Sequence, residues 1–81
     1  LSEGEHRDAD LLMLGRAVRG ARRQRGLSVE ELAGAAGLSR QGIAALEAGL
    51  LDPTYEVLLA VAGGLGLELS ALVALVEPPG Q

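Results

Sequence analysis

Between Asp10 and Val76 the apolar residues recur at intervals of three and four, and no stretch alternates with a two-residue period long enough to make a strand. Five helices are expected. In the first, beginning at Asp10, Leu14, Val18 and Ala21 form the inward stripe and Gly26 supplies the left-handed residue that follows many helices. Ser28 opens the second: its hydroxyl can accept from the amide of Glu31 while the Glu31 carboxylate reaches back to the amide of Ser28, a capping box. Leu32 and Ala36 face inward, Gly37 stops this helix, and Leu38 fills the corner. Ser39 caps a third helix running to Ala48 and closed by Gly49. Thr54 caps the fourth, with Glu56 in its first turn where a negative charge suits the helix dipole. Leu58, Val61, Ala62 and Leu65 are its stripe, and Gly63-Gly64 weakens its end. A last helix spans about Leu69 to Val76 with Leu69, Leu72, Val73 and Val76 as its apolar residues and Leu75 off the inward stripe. Residues 1–9, polar and without periodicity, are expected to be a flexible arm, residues 10–76 the folded domain, and residues 77–81, with Pro78-Pro79-Gly80, a flexible tail.

The spacing within Ser28 to Gly49 narrows this all-α reading. Ala33 stands where two helices would cross, and a larger side chain there would push them apart. Gly37 provides the positive φ that a turn this tight requires. Ile43 and Leu46 then anchor the second helix on the first. A small residue, a glycine and a branched apolar residue at this spacing make a helix-turn-helix pattern. On a wheel of 100° per residue, Ile43, Leu46 and Glu47 share the inner side of the third helix. Gln41, Ala44, Ala45 and Ala48 share the outer side.

The chain here resembles the helix-turn-helix domains of the phage repressor, Cro and Xre type. The resemblance runs through "LGRAVRGARRQRGLSVEELAGAAGLSR", "IAALEAG" and "DPTYEVLLAVAGGLGLELSALV". It implies a compact five-helix repressor-like domain that binds double-stranded DNA as a transcriptional regulator in the cytoplasm, commonly as a homodimer paired through the C-terminal helix. It also implies that Ser39 to Ala48 is a recognition helix lying in the major groove. By position, Arg40, Gln41 and Ala45 match base-contacting residues of the family, and Ser39 matches a frequent phosphate contact. Arg22 and Glu47 match positions that form a structural ion pair between the first and third helices. The chemistry is compatible: Gln41 can pair with adenine and Arg40 with guanine through two hydrogen bonds each, and Ala44 or Ala45 can pack on a thymine methyl. Tyr55 occupies a position usually held by a core aliphatic; a plain core residue is the first expectation, and a ring whose hydroxyl reaches a phosphate is the alternative.

Charge changes the picture in one respect. The net charge of −4 argues against a nucleic-acid partner until its distribution is seen. Residues 16–47 carry six arginines against Glu30, Glu31 and Glu47, whereas the two flanking segments are acidic. Arg16, Arg19 and Arg23 fall together on the solvent side of the first helix; a solvated face is the simpler reading, a phosphate or partner contact the other. Val29, Gly42 and Leu50-Leu51-Asp52 depart from the family where relatives often carry phosphate-contacting polar or basic residues or a better helix former. With few cations, binding is expected to be weak or to need two copies. Leu50 and Leu51 are expected to tuck under the fourth helix. If exposed, they would join Val29 and the alanine face in an apolar patch, which is the basis of an alternative: the same fold used as a protein–protein interaction module with weak or no DNA binding.

Composition excludes other classes. There is no cysteine, His6 stands alone in the polar arm, and no nucleophile with a base, paired carboxylates or glycine-rich phosphate loop is present. No enzyme activity, metal or cofactor is expected, and no apolar run approaches the roughly 18 residues of a membrane span. Leu1 in the first position is what a processed or partial chain would show.

Overall fold

A computed structural model describes residues 3–76, with side-chain environments from Arg7 onward. Five helices follow in order: α1 Glu3–Gln24, α2 Val29–Ala36, α3 Arg40–Glu47, α4 Tyr55–Gly64 and α5 Leu69–Ala74. No strand occurs among the described residues. α2 packs against both α3 and α4, α1 lies across α3, and α5 closes the base against α4 and α1.

The helix ends are set by local chemistry. At α2 both halves of the capping box form, the Glu31 amide donating to Ser28 Oγ at 3.0 Å and the Ser28 amide to Glu31 Oε1 at 2.8 Å. The bond from the Ser28 amide to the carboxylate, and after it the neighbouring Ser28 hydroxyl, favour the charged form and lower the Glu31 pKa. Gly37 takes φ 69°, and the next amide, Leu38, donates back to Ala33 at 2.9 Å, which turns the chain into α3. Ser39 caps α3 by accepting from Gly42 at 2.9 Å, and Thr54 caps α4 by accepting from Val57 at 3.2 Å.

The core is built from every helix: Val18 and Ala21, Leu32 and Ala33, Ile43 and Leu46, Val61 and Ala62, then Leu72, with Leu65 just after α4. Leu14, Val29, Leu38, Leu51, Val57 and Leu67 pack around it. Leu51 therefore tucks in as expected, but its neighbour Leu50 is 82% exposed, because adjacent residues in an extended loop point opposite ways. Tyr55 is 63% exposed rather than a core residue. As the first residue of α4 it lies on the helix's outer side, where Val57 packs inward in its place.

Two further differences concern the ends of the domain. α1 begins at Glu3, so residues 3–9, expected in a flexible arm, continue the helix. Periodicity was silent there because the segment has no apolar stripe. Within it Arg7 pairs with Asp52 in the loop before α4, and just beyond it Leu12 lies against Gly49. α5 ends at Ala74, two residues short of the expected limit. The expected tail, residues 77–81, lies outside the described residues.

One close approach governs how α1 sits. A β-carbon at Gly15 would lie 2.4 Å from the Glu47 carbonyl oxygen and 2.6 Å from that of Leu46. Only glycine allows the backbone of α1 to rest on the last turn of α3.

Candidate nucleic-acid interface

α3 presents two chemically different sides. Inward, Ile43 is fully buried and Leu46 is 1% exposed. Outward, Arg40, Gln41, Ala44 and Ala48 are exposed, and Ala45 is half-buried. The division follows from the helical period: the anchors at i and i+3 consume one side and leave the glutamine-bearing side to solvent. Ser39, just before the helix, is exposed. Its oxygen is engaged with the Gly42 amide, but a serine hydroxyl that accepts one bond still has its own proton to donate, as a phosphate contact would require.

Behind the helix, Arg22 and Glu47 meet. Arg22 Nε donates to Glu47 Oε2 at 2.7 Å and Nη2 to Oε1 at 3.0 Å, while Nη1 donates to the Leu27 carbonyl at 2.8 Å. The two side chains are 11% and 8% exposed. The hydrogen bonds to Glu47 raise the Arg22 pKa against the opposing effect of burial. A pair this enclosed, with three bonds in place and no buried side-chain polar atom unpartnered among the described residues, ties α1 and the α1–α2 turn to α3.

In front of the helix, Arg40 Nε donates to Glu30 Oε1 of α2 at 2.8 Å. The sequence alone does not show this cross-helix partner, because it depends on the angle at which α2 delivers its first turn. Tyr55 stands exposed at the start of α4, so its hydroxyl is accessible to a ligand. Arg16, Arg19 and Arg23 are exposed along α1. Arg19 joins Arg22, Val29, Ala44, Glu47 and Ala48 around an open hollow of about 260 Å³ beside the outer face of α3. The hollow is the space left where Val29, Ala44 and Ala48 are short. Among the described residues no three acidic or histidine side chains gather as metal ligands, and no helix is long and apolar enough to cross a membrane.

Comparison with known proteins fits this geometry. The helix-turn-helix family model HTH_3 matches residues 18–72, from the middle of α1 to α5. The chain is similar to the immunity repressor protein of Bacillus phage phi105, with 37% identity over 62 residues; the match covers 76% of this chain and 43% of that protein. It thus spans less than half the length of that repressor. Among solved structures it resembles the restriction-modification controller protein C.AhdI from Aeromonas hydrophila, with TM-score 0.77 and 34% identity over 79% of this chain and 97% of the other. It also resembles the clp gene regulator ClgR from C. glutamicum, with TM-score 0.76 and 29% identity over 82% of this chain and 86% of the other. The chain belongs to the helix-turn-helix family HTH_3.

Proposed function

We propose that the protein is a sequence-specific regulator that inserts α3 into the major groove of double-stranded DNA, with Arg40 and Gln41 as polar readers and Ala44 and Ala45 as methyl contacts. The observation that carries this is the sidedness of α3. Its inner side is locked by Ile43, Leu46 and Glu47, and on its outer side Arg40, Gln41, Ala44 and Ala48 are exposed among the described residues. Ser39 and Tyr55 are the proposed phosphate donors flanking it. Arg19 borders the outer face of α3 and adds its charge to that of Arg40, while the acidic flanks orient the domain by repulsion, as a charge asymmetry does during encounter.

Two copies are proposed to act together. Few cations border α3, so one copy neutralises few phosphates. α5 leaves Val73 56% and Leu75 48% exposed, an apolar end suited to symmetric pairing. Two recognition helices would then sit about one DNA turn, roughly 34 Å, apart. The site of action is the cytoplasm, and no catalytic role is proposed.

The 82% exposed Leu50 favours a second reading, in which the same fold serves protein association. Duplex binding measured across a salt series separates the two. A DNA reader loses affinity with a steep slope as salt rises, about 0.9 per neutralised phosphate on a double-logarithmic scale, whereas an association module shows almost none.

A further inference from the structure

Arg40 and Arg22 are held in different ways. Arg22 has its Nε, Nη1 and Nη2 all engaged. Arg40 gives only its Nε, to Glu30, and among the described residues its Nη1 and Nη2 have no partner. The guanidinium is a rigid plane with five N–H donors, so a single bond at Nε constrains that plane and leaves the forked end open. The side chains of Arg40 and Glu30 are 69% and 68% exposed, which makes the pair a minor contributor to folding. Of the two acids in the first turn of α2, Glu31 is bound into the capping box, leaving Glu30 to reach across to α3.

Charge adds a second effect. A carboxylate beside the guanidinium repels an approaching phosphate, which is also an anion. The O6 and N7 of guanine are neutral acceptors, and they can share a guanidinium with a carboxylate without that penalty. We propose that Glu30 is a positioning residue for Arg40, turning its forked end toward a guanine edge and withholding it from indiscriminate phosphate binding. This inference rests on the DNA-reading role of α3 proposed above. Glu30 then raises specificity at the expense of overall affinity.

The test begins with selection of preferred sequences from a randomised duplex library by the wild-type protein. Binding is then measured to the best duplex, to duplexes with each guanine replaced, and to an unrelated duplex. The wild type is expected to discriminate against replacement of one guanine by roughly fivefold or more. Arg40→Ala removes that preference. Glu30→Ala brings the ratio toward one while tightening binding to the unrelated duplex, and adding it to Arg40→Ala changes the ratio no further. Alanine at this exposed helical site leaves the fold intact, which circular dichroism checks. The proposal is overturned if Glu30→Ala keeps the guanine preference, or if it raises affinity for every duplex by the same factor. It is also overturned, alone, if the selected sequence proves independent of Arg40. If the wild type selects no sequence at all, the DNA-reading role of α3 falls with it.

Discussion

Helix α3 carries one arginine–glutamate pair behind it and one in front, and they differ in exposure and in the number of hydrogen bonds that join them. Arg22–Glu47 is enclosed, joined by two hydrogen bonds, and braced by the Leu27 carbonyl. Arg40–Glu30 is exposed and joined by one. The same two residue types therefore do opposite jobs. Enclosure makes the rear pair a fixed strut, because separating its charges would strand one of them away from water. Exposure makes the front pair exchangeable, because water or a ligand can replace either partner at small cost.

The contrast is sharpest in stability. Glu47→Ala leaves Arg22 buried without its partner and is expected to cost about 3–5 kcal/mol. An 81-residue domain has about 4–12 kcal/mol in total at the usual stability per residue, so this variant is expected to lose at least about a quarter of its stability. Urea titration measures it, and the front pair supplies the control: Glu30→Ala should move stability by less than about 1 kcal/mol. Equal losses from the two would break the comparison.

On the binding side the next largest effect belongs to Gln41, which contributes nothing to the core. Gln41→Ala is expected to weaken discrimination at one base position by about 1–3 kcal/mol with no change in the unfolding midpoint. Competition binding with single-base operator variants checks the first half and thermal melting the second. A general loss of stability would show that the outer face of α3 also holds the fold.

A helix position that neither pair touches calibrates the scale. A β-carbon at Gly20, in the middle of α1, meets nothing within 4 Å. Gly20→Ala should therefore stabilise by up to about 1 kcal/mol through helix propensity alone, read as a rise in the urea midpoint with DNA affinity unchanged.

The smallest effect is tied to pH. The native pKa of Glu31 is lowered by its bonds to Ser28. Its contribution is therefore present above the ordinary value of 4.5 and is lost as pH falls through the lowered native value. In Glu31→Gln that acid-side component of the stability profile should vanish. An unchanged profile would place the acid sensitivity of the domain elsewhere.

What could be read from the amino acids alone follows the range of each interaction. Ser28 and Glu31 lie three residues apart, so the capping box and the start of α2 are visible in four letters. Ile43 and Leu46 declare the inner side of α3 by period. The Arg22–Glu47 pair spans 25 positions and became legible only through resemblance to a family. Three features stayed hidden because each depends on how separate segments meet: the helical path of residues 3–9, tied to Asp52; the exposure of Tyr55, decided by which side of α4 faces α2; and the bond from Arg40 to Glu30. Gly15 was hidden for a related reason, since a glycine in a helix says nothing about the carbonyl resting on it.

At Gly15 even a methyl group would collide with the main chain of another segment, and no side-chain adjustment relieves that. Mutational drift is barred there. Arg40, Gln41, Ala44 and Ala48 face no such barrier, because they occupy the side of the rod that the core does not use. A lineage carrying this scaffold can thus change that exposed surface residue by residue while the joint behind it stays frozen.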